Sequence, residues 1–276
     1  MPIITANGID HYYQVAGQGV PLVLVHGGFV DLHMWDPQVD AFSKRYRVIR
    51  YDLRGHGRTG ASKTSKYSIE LFADDLKALL DAFSIERTIL CGLSLGGMIA
   101  QSFTVKYTSR VHALVLSDTA VSVKLTLSDK LQRYVLFPKW LMQLTIRSLG
   151  VERFVRFSFW LAKVTRSEDW IGKDEVTRAY ITETMLRMEE TEYLKIYGAI
   201  YDFDLLDLSR IDVPTLVLNG EHESRSVVRH AEEIVRRVER SEMKVVPDAG
   251  HTSNMENAPA FNAMVEEFLN RSIYLD

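Results

Sequence analysis

A serine, a histidine and a carboxylate in distant parts of this 276-residue chain have the types and settings needed for nucleophilic chemistry. The serine lies in Cys91-Gly92-Leu93-Ser94-Leu95-Gly96-Gly97, which has the spacing G-x-S-x-G. An apolar run, Thr88–Cys91, leads into it, and a helical pattern starting at Met98 leads out. That strand–turn–helix setting perches Ser94 on a tight turn, where a side chain at 92 or 96 would collide with nearby backbone. It also sets Ser94 at a helix N-terminus, whose free N–H groups favour developing negative charge. A glycine–serine turn that only caps a helix is spelled the same way, so the motif gains meaning from its partners.

A serine hydroxyl is a poor nucleophile until a base takes its proton. The candidate base is His251, in Val246-Pro247-Asp248-Ala249-Gly250-His251, between the last apolar strand and the last helical segment. His26 and His56 lie in loops that precede the serine and suit other roles. His11, His33, His112 and His230 fall on predicted strands or helices, where a surface or satisfied-core reading fits better. Two carboxylates at strand ends could orient the imidazole and stabilise its charged form. Glu223 follows Thr215–Leu218, and Asp118 follows Ala113–Leu116. Glu221 reads as solvated. A tetrahedral intermediate also needs preset donors for its oxyanion, each worth about 3 kcal/mol. The N–H of Leu95 supplies one. The loop His26-Gly27-Gly28-Phe29 supplies the other, assigned to Gly28 with Phe29 as its neighbour.

The elements that must position these residues are readable from periodicity. Asn7-Gly8 between two short runs predicts a hairpin. Continuous apolar runs at Pro21–Val25, Val48–Tyr51, Thr88–Cys91, Ala113–Leu116, Thr215–Leu218 and Met243–Val246 suit strands buried on both faces. Ile69, Phe72, Leu76, Leu79, Leu80 and Phe83 trace one helix face, with Ser68 as its N-cap. Residues 225–238 and 257–270 read as further amphipathic helices. Strands alternating with helices predict an α/β chain with a mostly parallel, doubly wound sheet of about eight strands. Between Leu116 and Thr215 no strand pattern appears, and so long a structureless loop would be anomalous. The expectation is a helical cap over 122–208, inserted after the sixth strand into a core made of 1–121 and 209–276.

The stretches MWDPQ (34–38), YDLRGHGRTG (51–60) and CGLSLGGMIAQ (91–101) resemble the α/β-hydrolase superfamily. Within it they resemble 3-oxoadipate enol-lactonases and cofactor-free carboxylesterases most. The resemblance is close over about 20–120, returns over 210–268, and is poor in the insertion. It implies an α/β-hydrolase fold, a serine–acid–histidine triad in that chain order, an acyl-enzyme intermediate, and neither metal nor organic cofactor. It implies Glu223 as the acid, three residues after Gly220, with Asp118 as the alternative used by some relatives. It gives Asp52–Gly57, His56 included, a structural role in bracing the serine turn. A serine at 94 separates the chain from the branches whose nucleophile is aspartate.

The cap is aromatic and basic. Most of its aromatics should pack its own helices, while Phe29, Trp140 and Phe159 are expected to line a mainly apolar substrate pocket. Lys139, Arg147, Arg153, Arg156 and Lys163 interleave with apolar residues and read as a solvated rim, with an interfacial face as the alternative. The composition, 46 % hydrophobic and 25 % charged with a net charge of −3, is that of a globular protein without the positive excess that nucleic acid requires. No apolar run is long enough to span a bilayer, and MPIITANGID has no leader pattern. The single cysteine, Cys91, excludes an internal disulfide. The expectation is a cytoplasmic serine esterase acting on a small-molecule ester or lactone, with homodimerisation left open. Lactone or C–C bond hydrolysis by the same residues is the nearest alternative. A ligand-binding receptor with a vestigial triad is the alternative of another class.

Overall fold

The computed structural model describes residues 2–125, 127–136, 138–165, 170, 172 and 174–273. Strands β1 (Ile3–Ala6) and β2 (Ile9–Ala16) form the expected hairpin, with Asn7 and Gly8 at φ 48° and 75°. Two consecutive left-handed residues are what a two-residue hairpin turn needs to match strand twist. Then follow β3 (Val20–Val25), α1 (Asp36–Phe42), β4 (Tyr46–Tyr51), α2 (Ile69–Ala82), β5 (Thr88–Leu93), α3 (Leu95–Lys106) and β6 (Val111–Ser117). The Ser68 side chain accepts from the Leu71 N–H and caps α2 as its type predicts.

The next helices, α4 (Leu127–Leu131), α5 (Lys139–Thr165), α6 (Glu175–Arg187) and α7 (Glu190–Asp202), all fall between β6 and β7 (Thr215–Gly220). Gly150, at φ 77° and ψ 163°, breaks α5 into two helical pieces. The chain closes with α8 (Arg225–Arg237), β8 (Ser241–Val246), α9 (Ser253–Glu256) and α10 (Ala258–Ile273).

All eight strands join one sheet in the order β1-β2-β4-β3-β5-β6-β7-β8. β2 pairs antiparallel with β1 and β4, and every pairing from β4–β3 to β7–β8 is parallel. Alternate side chains feed two cores. Val23, Val25 and Leu90 face the side covered by α2 and α3, while Leu22, Leu24, Ile89 and Cys91 face the side covered by α1 and α10. A sheet covered on both faces explains the unbroken apolar runs. The parallel register aligns strand ends: Val25 opposite Gly92, Leu93 opposite Ser117, Ser117 opposite Leu218, and Gly220 opposite Val246. The loops leaving β3, β5, β6, β7 and β8 therefore emerge side by side at one edge, the usual place for a ligand on such sheets. Below them a buried pair, Arg54 to Asp75 at 2.9 Å from Nε, ties the loop after β4 to α2.

Candidate active site

Ser94 sits at the turn between β5 and α3 with φ 53° and ψ −114°, a backbone conformation that side-chain-bearing residues rarely adopt. The flanking glycines make that turn possible. A Cβ at Gly92 would lie 2.3 Å from the Gly96 carbonyl oxygen, and one at Gly96 would lie 2.0 Å from that of Val25. The second contact shows the turn pressed against the end of β3, where the His26–Phe29 loop begins.

The structure brings three distant side chains together. His251, in the loop after β8, places Nε2 3.1 Å from Ser94 Oγ and Nδ1 2.5 Å from Glu223 Oε2. Glu223 is buried at the end of the loop after β7. Its Oε1 accepts from the Trp170 indole N–H at 2.6 Å and from the Ser224 backbone N–H at 2.5 Å. Burial alone would raise the Glu223 carboxyl. The His251 imidazole and the Ser224 and Trp170 donors outweigh it and hold the carboxyl below the usual range.

Asp118 ends β6 close by but does not touch the imidazole with a hydrogen bond. It accepts instead from Ser117 Oγ at 2.7 Å, Ser253 Oγ at 2.5 Å and the Gly220 N–H at 2.9 Å. Complete burial and the neighbouring Glu223 charge push its pKa up to about 7, against the opposing pull of His251 and the two serines.

Gly28 lies beside Leu95, the residue that follows the serine. A Cβ on it would stand 3.6 Å from the Leu95 Cβ and 3.2 Å from Ile200 Cδ1 of α7. The backbones of both expected donors therefore lie next to Ser94. His26 fixes this loop: its Nδ1–H donates to the Gly27 carbonyl at 2.7 Å, and its Nε2 accepts from the Leu53 N–H at 2.9 Å. Burial lowers the pKa of His26 and of His56, whose ring stands 5.0 Å away. His26 thus joins its own loop to the loop after β4, in which the His56 Nδ1–H donates to the Arg54 carbonyl at 3.0 Å.

A cavity of about 270 Å³ opens over Ser94 and His251. Its wall is apolar, with Phe29, Val30, Met34, Phe159, Ile181 and Met185 among its residues. Phe29 has φ 66° and stacks on Tyr193 of α7 at 4.2 Å. Phe159 lies in the wall as expected, but Trp140 does not: it is 66 % exposed on the outer side of α5. Helical geometry gives the reason. Aromatics occur on both faces of α5, and composition alone does not tell which face meets the sheet.

Sequence reasoning assigned no role to Trp170. Besides holding Glu223, its ring lies 5.4 Å from the His251 ring, and its carbonyl accepts from the His251 N–H at 2.7 Å. It belongs to no motif, and the one available signal was a lone tryptophan in a helical insertion.

Comparison with known proteins adds the relatives. "3-oxoadipate enol-lactonase 2" of Acinetobacter baylyi is 25 % identical over 271 residues, covering 97 % of this chain and 96 % of the relative. The crystal structure of the enol-lactonase from Burkholderia xenovorans superposes with a TM-score of 0.83 at 28 % identity, covering 98 % of this chain and 100 % of that one. A thermophilic esterase from Thermogutta terrifontis superposes with a TM-score of 0.80 at 26 % identity, covering 98 % of each chain. The family model for the alpha/beta hydrolase fold matches residues 20–258. That span runs from β3 to the first residue of α10, and the chain belongs to the α/β-hydrolase fold family.

Proposed function

We propose that this chain is a serine hydrolase that cleaves uncharged, largely apolar carboxylic esters of small to medium size. The observation that carries the reading is the unbroken relay from Ser94 Oγ through both nitrogens of His251 to Glu223. His251 Nε2 takes the hydroxyl proton as Ser94 Oγ attacks the ester carbonyl carbon. The oxyanion is held by the N–H groups of Gly28 and Leu95. As the C–O bond breaks, His251 returns the proton to the departing alcohol and leaves an acyl-serine. Water then gives its proton to His251 and attacks the acyl carbon, releasing the acid and restoring the serine.

The wall defines the substrate class. Among the described residues lining the cavity, His251 is the one titratable side chain, and none is a lysine, arginine or carboxylate. The volume lies at the small end for ligand pockets. A lactone is the second reading, favoured by the names of the enol-lactonase relatives. An adipate-derived lactone, however, keeps a free carboxylate, and the described residues of this wall offer it no cation.

Ser94→Ala is expected to lower kcat on p-nitrophenyl butyrate by at least about 10⁴-fold and to abolish labelling by a fluorophosphonate. Turnover within tenfold of the parent would overturn the assignment. Equal kcat/KM on butyrolactone and on the acyclic ester would move the reading to the lactone.

A further inference from the structure

The outer side of α5 exposes a concentration of large apolar side chains. Trp140, Leu141 and Leu144 are exposed before the break at Gly150, and Phe157 and Trp160 after it, with exposures from 37 % to 66 %. Phe157 and Trp160 touch as a ring pair at 5.8 Å. Isolated apolar residues on a surface are ordinary, but five large apolar side chains exposed on the two pieces of α5 are not.

Cations accompany these residues: Lys139 turns to Asp202 of α7 at 2.6 Å and Arg156 pairs with Glu152 at 3.0 Å, while Arg147 and Arg153 are exposed. Residues 139–165 contain Lys139, Arg147, Arg153, Arg156 and Lys163 against one acidic residue, Glu152, in a chain whose net charge is −3. After the break, Arg153, Arg156, Phe157 and Trp160 are exposed, while Phe154 and Val155 are buried beneath them. One helix face thus carries both the aromatic rings and the guanidinium groups.

We propose that this face docks on an anionic lipid bilayer, with α5 lying in the interface and the cavity above Ser94 held close to the membrane. The charge pattern selects the occupant. The core of a protein–protein interface is depleted of charge, whereas here Arg153 and Arg156 stand exposed within a turn of Phe157 or Trp160. A second copy meeting this face would set two like-charged rows against each other. An anionic headgroup layer over an acyl region satisfies both components at once: arginines at the phosphates, tryptophan rings at the acyl boundary. No helix among the described residues is long and apolar enough to cross the membrane, so the association is one of surface only.

The docked face adjoins the cavity. Ser158 and Phe159, between Phe157 and Trp160 in sequence, point the other way and line the wall over Ser94. An apolar ester dissolved in the bilayer would meet the protein one helix diameter from the cavity wall. That delivery rests on the hydrolase reading; the docking does not.

The test is flotation of the full chain, in its Ser94→Ala form so that no chemistry intervenes, with phosphatidylcholine vesicles and with vesicles containing 30 % phosphatidylglycerol. Flotation with the anionic vesicles alone, weakening as salt rises, is expected. The double variant Arg147→Gln/Arg153→Gln, on the Ser94→Ala background, is expected to lower the partition coefficient about thirtyfold, since each cation near such a surface contributes about a factor of five. The same two substitutions in the parent should leave kcat on a water-soluble ester unchanged, which shows that the fold is intact. Flotation with neither vesicle, or equally with both, overturns the proposal. So does a dimer in solution that Trp160→Ser abolishes, because the face would then belong to a second copy. So, too, does binding to an acidic protein with no vesicle binding.

Discussion

Glu223 accepts from His251, Trp170 and Ser224, whereas Asp118 accepts from two serine hydroxyls and the Gly220 N–H. These shells give two neighbouring carboxyls different protonation: the first is held below its usual range, and the second is pushed up to about 7. The proposed mechanism then assigns the charge on the relay to Glu223. Glu223→Gln is expected to lower kcat by about 10³- to 10⁴-fold, and Asp118→Asn by less than about tenfold, in steady-state ester hydrolysis. Asp118 also affects stability. The folded chain binds its proton more tightly than the unfolded chain, where an aspartate titrates near 4, about the usual value. That stabilisation is complete below about pH 4 and is lost as pH rises through about 7. Calorimetry should therefore show that the Tm of Asp118→Asn falls less than the parent's between pH 4 and 7; parallel curves would contradict the shift. Spacing alone left these two residues as rivals, because both end a strand, and only the resemblance favoured Glu223. The deciding information is three-dimensional: which carboxyl reaches Nδ1, and which turns back toward Ser117 and Ser253.

At the scale of elements, the strands were legible because a sheet covered on both faces demands continuous apolar runs, and the first hairpin because Asn7-Gly8 has few other uses. The insertion was legible as helical but not as faces. Phe157 and Phe159 are two residues apart, yet one is exposed and the other lines the cavity. Trp170 was illegible for a related reason: its partner, Glu223, lies 53 positions away. Trp170→Phe keeps the ring and removes the N–H donor. The expected result is a fall in kcat of about tenfold, the lower end of what a hydrogen bond to a charged group contributes, with no loss of Tm beyond a few degrees. The loop after β4 is held differently, by the buried Arg54–Asp75 pair. Asp75→Asn leaves the guanidinium without its counter-charge and is expected to cost about 3 kcal/mol in urea unfolding.

The described residues divide their chemistry sharply: those lining the cavity include no cation, whereas Arg147, Arg153 and Arg156 stand exposed on α5. A substrate that carries its own charge gains nothing in the first of these. On the proposed function, kcat/KM for a p-nitrophenyl hemisuccinate should fall at least about a hundredfold below that for p-nitrophenyl butyrate, since the carboxylate would be buried without a partner.

Trp170 sets one more constraint on how the molecule works. Its carbonyl receives the His251 amide while its indole secures the Glu223 carboxylate, so this point of the insertion is fastened to two of the three relay members. A movement that carried Trp170 away would take one hydrogen-bond partner from each of them. On the proposed function, any route to the cavity that leaves this clasp shut keeps base and acid aligned.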